Sequence, residues 1–350
     1  MRIVHTIYDF YPGGAELMLA DIANEQALAG HNVHIVVLNN VYTEEALNRI
    51  SPDVSVHLLN RPAGSRNPLW IWRYNRMLWR LSPDIIHFHN DGLMKTVLKR
   101  RDTFYAGTVH DTQINISGYR RCDKIFAISD AVQHDLKDRL NIESTVVVNG
   151  INFDMIEISH KQNCDNSSWK IVQVASVLPS KKGQDILIKA IPFLKKQGID
   201  VKVDFIGKRY DNGELDRLVE EENVADSVAF LGLCDRSYVY SHLKDYDLCC
   251  HPARYEGFGL ALVEAMGAKI PVLASDLDGP AEILDENRYG LLFESNNPQA
   301  CADAIEKVIA AYPIFKANAQ EKAYKHICEN YSIKATAENY IAEYQKLINQ

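Results

Sequence analysis

Short apolar runs alternate with segments of helical periodicity along most of the chain, and that alternation predicts the fold. Runs at residues 3–8, 33–38, 54–59, 85–89, 103–109, 124–128 and 145–148 read as strands, and residues 15–29 read as a helix that Gly30 ends. Nearly continuous apolar strands between helices indicate a parallel sheet covered on both faces. The rhythm stops at residues 160–168, HKQNCDNSS, a polar stretch without period that reads as a linker. It resumes with strands at 170–175, 201–206, 228–231, 248–251 and 271–274 and helices at 183–196, 213–222, 237–244, 260–267 and 297–311, before two more helices. The expectation is an α/β chain of two doubly wound halves, at 1–160 and 169–330, with a cleft between them. A helix at 331–350 is expected to pack back on the first half. Ligands in such sheets sit at the carboxyl ends of the strands.

Length agrees with this division, since 350 residues are long for one core. The formal net charge of −8 argues against a general nucleic-acid-binding surface. The charge is uneven: between Arg61 and Lys124 there are 12 lysines and arginines against 5 aspartates and glutamates. The seven cysteines form no CxxC pair, which fits reduced thiols in the cytoplasm. No apolar run is long enough to span a bilayer, and the first residues lack the apolar stretch of a signal peptide. Any membrane contact is therefore expected to be peripheral.

The stretch HPARYEGFGLALVE, residues 251–264, carries the most chemistry. Two carboxylates, Glu256 and Glu264, flank a loop whose glycines, Gly257 and Gly259, let a ligand approach the backbone. The loop opens a predicted helix, and a helix start is an anion site. The combination outlines a sugar-nucleotide site. Gly13 and Gly14, between the first strand and helix, fit the same purpose, or a tight turn. The GxGxxG fingerprint is absent there, which excludes support for a nicotinamide cofactor. His110 ends a strand that faces the expected cleft and suits contact with a sugar hydroxyl, although a structural histidine is the common outcome. His87 and His89 share a strand face, and the reading is against metal ligation by them. Lys182, before Gly183, suits a phosphate. Asp245-Tyr246-Asp247 and Asp276-Leu277-Asp278 match a short metal-binding triplet that chance produces often, so no obligatory metal is expected.

Residues 66–81, RNPLWIWRYNRMLWRL, form a predicted helix with Trp70, Ile71, Tyr74, Met77, Leu78 and Leu81 on one face. Trp72, Arg73, Arg76, Trp79 and Arg80 remain for the other. Tryptophan beside arginine suits an anionic membrane boundary or a lipid-linked acceptor, while the plain alternative is a solvated face. Lys99 to Arg101 and Arg120-Arg121 would extend the basic surface.

Taken together, these residues resemble the retaining glycosyltransferases of family 4, which have the GT-B architecture of two Rossmann-like domains. The resemblance covers nearly the whole chain: the E-x7-E element at Glu256 and Glu264, the glycine turn at 11–16, Asn149-Gly150-Ile151-Asn152, and the segments 279–283 and 289–292. It implies that Glu264 binds the nucleotide ribose and Glu256 the donor hexose. The N–H groups of Gly257, Phe258, Gly259 and Leu260 would lie near the sugar and diphosphate. Gly13 and Gly14 would approach the diphosphate from the first domain, Lys182 would bind it, and His110 would contact the hexose near the reacting carbon. Domain closure would accompany donor binding. One departure stands out. The family's arginine before the phosphate lysine is replaced by Val177, and Lys208 or Arg209 is expected to compensate.

The expected activity is transfer of a hexose from a nucleotide sugar to a glycan or lipid-linked acceptor, without cofactor, in surface polysaccharide or lipopolysaccharide assembly. Alternatives are a nucleotide-sugar epimerase of the same fold and a non-catalytic sugar-nucleotide-binding protein.

Overall fold

The computed structural model describes residues 1–161 and 168–349. It divides the chain into two compact units, Met1–Asn152 with Tyr331–Gln350, and Phe153–Asn330. The boundary thus falls at Asn152, ahead of the polar stretch, and residues 162–167 of the expected linker lie outside the described residues.

The first unit contains one parallel sheet of β1 (Arg2–Ile7), β2 (Asn32–Asn39), β3 (Ser55–Arg61), β4 (Ile85–Phe88), β5 (Phe104–Val109), β6 (Lys124–Ala127) and β7 (Thr145–Val146), in the order β3-β2-β1-β4-β5-β6-β7. The second repeats the pattern with β8 (Trp169–Val174), β9 (Val201–Ile206), β10 (Val228–Gly232), β11 (Leu248–His251), β12 (Val272–Ser275) and β13 (Leu291–Phe293), ordered β10-β9-β8-β11-β12-β13. The apolar runs predicted all of these except β13, a three-residue strand too short to carry a period.

Each order reverses direction once, between β1 and β4 and between β8 and β11. Loops leaving the carboxyl ends of such neighbours diverge and open a crevice. Gly13 and Gly14 follow β1, Lys182 follows β8 and Glu256 follows β11.

Packing explains why each sheet is covered. In the second unit Ile186, Leu187, Ile191 and Leu194 of the helix Gln184–Lys196 are fully buried against the sheet, beside Cys301 and Ile305 of the helix Pro298–Ala310. In the first, the helix Gly14–Leu28 buries Leu19, Ala20 and Ala23 with Ile7, Ile35 and Val37. The chain re-enters this unit through a bridge between Ile151 and Ser332, and the helix Ile333–Ile348 then packs against Gly14–Leu28. That returning helix places the buried rings of Tyr340 and Tyr344 edge-on to Phe126.

The helix Pro68–Leu81 departs from its predicted face. Its buried residues are Tyr74, Asn75 and Leu78, while Ile71 is 43% exposed. Asn75 joins the buried face because its amide donates to the carbonyls of Ile71 and Thr96 and accepts from the Leu98 N–H, and a polar side chain that serves three main-chain groups can be buried without loss.

Candidate functional site

At the carboxyl end of β8, the chain makes a one-turn helix, Pro179–Lys182, and reverses at Gly183 with φ +66°. A side chain at Gly183 would stand 1.8 Å from the Pro252 carbonyl oxygen, so only glycine lets this loop lie against the one that leaves β11. The two loops are then cross-linked. The N–H groups of Arg254 and Tyr255 donate to the Lys181 carbonyl, and the Arg254 guanidinium donates to the Pro179 carbonyl and, bidentately, to Asp185. Gln173, buried on β8, donates to the Lys182 carbonyl.

This scaffold brings Lys182, His251 and Glu256 together. The Lys182 Nζ donates to Glu256 Oε2 at 2.6 Å, and His251 Nε2 lies 2.8 Å from the same oxygen. Burial alone would raise the Glu256 carboxyl pKa, but the Lys182 charge and the His251 hydrogen bond hold it well below the usual carboxylate range. His251 is buried, and its Nδ1 has no hydrogen-bond partner among the described residues. Sequence reading passed over His251 as a site residue, because a histidine closing an apolar strand carries no spacing signal of its own.

Beyond Glu256, Gly259 takes φ +114° and the helix Leu260–Gly267 begins with no side-chain cap. An uncapped helix start suits an anion. Gly257, Phe258 and Gly259 are buried just before it, and Leu260 is half-buried. Glu264, one turn into the helix, accepts from the Tyr240 hydroxyl at 3.2 Å and lies 3.5 Å from Arg236, whose guanidinium stacks on the Tyr240 ring.

The expected phosphate substitutes fare unequally. Val177 is fully buried in the core. Arg209 donates twice to Asp211 and twice to Asp216 and stacks on Phe230, so its guanidinium is already committed. Lys208 is exposed and stands over the Tyr210 ring. Asp247 and Asp276, from the two metal-like triplets, serve the main chain: Asp247 accepts from the Lys170 N–H and Asp276 from the Ser295 N–H.

The first unit builds its crevice from different chemistry. Gly13 N-caps the helix Gly14–Leu28, and a methyl group at Gly14 would meet nothing within 4 Å. Packing does not require glycine at 14. Glu16, in the first turn, folds back over Gly13, and burial with the nearby Asp9 charge raises its pKa to about 7. His110 follows β5 and lies 3.1 Å from His89, which lies 3.1 Å from His5. His5 lies beside His87 across the β1–β4 pairing. His5, a strand residue, was not singled out in the sequence. Burial holds His5 and His110 at about 4 and His89 and His87 well below the ordinary histidine value.

His5, His87 and His89 each offer a ring nitrogen within 4.8 Å of the others, a spacing compatible with a metal ion. All six of their nitrogens are also within hydrogen-bond reach of a neighbour: Gln26, Thr108, Tyr344, His110 or one another. The hydrogen-bond network accounts for the cluster as it stands.

On the helix Pro68–Leu81, Trp72 and Trp79 are exposed, together with Arg73, Arg76 and Arg80. The Arg73 guanidinium lies over the Trp70 ring and that of Arg76 over Trp72. Residues 98–101, Leu-Lys-Arg-Arg, are exposed beside it, whereas Arg121 is tied to the carbonyls of Met94, Lys95 and Val97. No described helix is long and apolar enough to cross a membrane.

Residues 154–326 match the family described as glycosyl transferases group 1, and residues 12–155 match glycosyltransferase family 4. Among curated proteins the chain is 25% identical over 228 residues to a poly(ribitol-phosphate) alpha-N-acetylglucosaminyltransferase of Staphylococcus aureus, across 65% of this chain and 44% of that protein. It is 25% identical to a phosphatidyl-myo-inositol mannosyltransferase of Mycobacterium leprae, across 84% of this chain and 83% of the other. The first of these matches thus spans less than half of its relative's length. Among solved structures, HepE of Anabaena in complex with UDP and glucose superposes with a TM-score of 0.82 at 20% identity, over 99% of each chain. The fold is GT-B.

Proposed function

The chain belongs to the group 1 glycosyltransferases, and from that premise we propose that it moves a hexose, with retention of configuration, from a nucleotide-diphosphate sugar to a glycan or lipid-linked acceptor. The observation that carries the reading is the Lys182–Glu256–His251 cluster beside an uncapped helix start at the β8–β11 switch point. In the reaction the bond from the anomeric carbon to the diphosphate oxygen breaks, one to an acceptor hydroxyl oxygen forms, and the hydroxyl proton passes to the departing diphosphate. The main demand is to stabilise the departing nucleoside diphosphate. Lys182 and the amides of Gly257, Phe258, Gly259 and Leu260 meet that demand. Glu256, ionised and held by His251, accepts hydrogen bonds from the hexose hydroxyls, and Glu264 does the same for the ribose. From the first unit, Gly13 and Gly14 admit the diphosphate, and His110 contacts the hexose. With Arg209 committed to two carboxylates, Lys208 is the better substitute for the arginine absent at Val177. No metal is required by this scheme.

The test is thermal-shift screening against UDP-, GDP- and ADP-sugars, followed by turnover with the donor that stabilises the protein. Glu256→Ala is expected to lower kcat/KM by about 100-fold to 1000-fold, as for loss of one transition-state contact; full turnover in this variant would remove the assignment. Isomerised sugar from donor alone would identify an epimerase instead.

The exposed helix Pro68–Leu81 supports a peripheral position on an anionic membrane in surface polysaccharide or lipopolysaccharide assembly. Each arginine near such a surface contributes about 1 kcal/mol. Changing Arg73, Arg76 and Arg80 to glutamate is therefore expected to release the protein from phosphatidylserine-containing vesicles in co-sedimentation. Unchanged binding would dismiss the membrane role.

A further inference from the structure

Four side chains of the first unit form a continuous line from a buried helix face to the edge of the sheet. Gln26 Oε1, on the helix Gly14–Leu28, lies 2.8 Å from His5 Nε2 in β1. His5 Nδ1 lies 3.1 Å from His89 Nε2, and His89 Nδ1 lies 3.1 Å from His110 Nε2. Gln26, His5 and His89 are buried. His110, at the end of β5, keeps partial exposure, and its Nδ1 has no hydrogen-bond partner among the described residues.

Burial disfavours the charged form of each ring, so all three histidines are neutral. A neutral imidazole has one N–H and one bare nitrogen. Three rings joined by hydrogen bonds can then hold their protons in only two ways, every one on Nε2 or every one on Nδ1. A single mismatch would set two lone pairs or two protons against each other inside the core, where an unmade hydrogen bond is costly. The choice is made at the buried end, where the partner is not a histidine. The Gln26 carbonyl oxygen only accepts, so His5 must hold its proton on Nε2, and the same sense passes to His89 and His110.

We propose that Gln26 fixes the tautomer of His110 through His5 and His89, so that His110 is protonated on Nε2 and presents a bare Nδ1 as an acceptor for a donor-sugar hydroxyl. The proposal rests on the reading that His110 meets the hexose, and it deepens that reading. His5, His89 and Gln26 are positioning residues, because they touch the sugar only through His110. A hexose offers hydroxyl protons at every free position. An acceptor nitrogen would hold one such hydroxyl in a single orientation without placing a charge beside the anomeric carbon.

The test is tautomer-sensitive 15N NMR of the full chain labelled at its histidine rings, with the His110 signals assigned from His110→Gln. The wild-type protein is expected to show His110 as the Nε2–H form. Gln26→Met and His89→Gln are expected to leave a mixture of both forms, and to lower kcat about tenfold, the effect of one misdirected hydrogen bond. The wild-type spectrum needs no variant to fold. A His110 found as the Nδ1–H form or as the cation would overturn the proposal. So would a tautomer that neither variant changes, or one equivalent of zinc co-purifying with the protein, since a metal on His5, His87 and His89 would displace the line. If the tautomer follows Gln26 but His110→Ala keeps full turnover, the relay stands and the sugar contact assigned to His110 fails.

Discussion

The two units share a strand order yet fill their switch points with opposite chemistry. Between β8 and β11 the chain gathers charge: Lys182, Glu256 and His251 meet at one carboxylate oxygen, and Arg236 lies beside Glu264. Between β1 and β4 it suppresses charge. Four histidines there are kept neutral by burial, and even Glu16 is raised to about 7, so that near neutral pH it is only partly ionised. The same strand order thus carries a charged carboxylate cluster in one unit and a line of neutral imidazoles in the other, and a few side chains at each switch point decide which.

The comparison breaks most readily at Lys182. Lys182→Gln removes the charge that the proposed scheme directs at the diphosphate and is expected to weaken donor binding about 100-fold, as for loss of a charge-assisted hydrogen bond. It also strips Glu256 of its main partner. A carboxyl whose folded pKa is depressed adds stability above its unfolded pKa and loses it as pH falls through the folded value. The wild-type advantage over Lys182→Gln in chemical denaturation should therefore be present at pH 7 and shrink below about pH 4.5, the unfolded range. An advantage that does not change with pH would mean the ion pair adds nothing to the fold.

Glu16 tests the other edge. Its folded pKa is raised, so the wild type is penalised as pH rises from the unfolded value near 4.5 through about 7. Glu16→Gln should be as stable as the wild type at pH 4 and, discounting for partial solvation, more stable by about 1–2 kcal/mol at pH 8. Equal stability at both pH values would show that the carboxyl is better solvated than its position suggests. Gly14→Ala is the mildest change. Because a methyl group there meets nothing in the protein, the melting temperature should hold or rise, while donor affinity falls about fivefold, a loss of about 1 kcal/mol. Unaltered affinity would remove Gly14 from the donor's path.

The sequence made the element order legible because most strands are buried on both faces and so read as unbroken apolar runs. It also exposed the 256–264 loop, whose glycines and acids lie close together in the chain. It could not reveal contacts that only the fold brings about. His5 and His89 are 84 residues apart, and Lys182 and Glu256 are 74 apart. Neither pair has a spacing to recognise. The face predicted for the helix Pro68–Leu81 buries Tyr74 and Leu78 but exposes Ile71, and it also takes in a polar residue, Asn75, that serves the main chain from inside the core. Arg209 could have been judged from sequence, since the acids that claim it, Asp211 and Asp216, follow within seven residues.

The return of residues 331–350 to the first unit makes the second an insertion within it. A ribosome delivers β1 to β7 long before the helix that brings Tyr340 and Tyr344 against His87 and Phe126. Domains generally fold as units during synthesis. Here the first unit gains the tyrosines that pack on its His87 and Phe126 only after the inserted unit has been made, so a chain cut after Asn330 is expected to lack that cover.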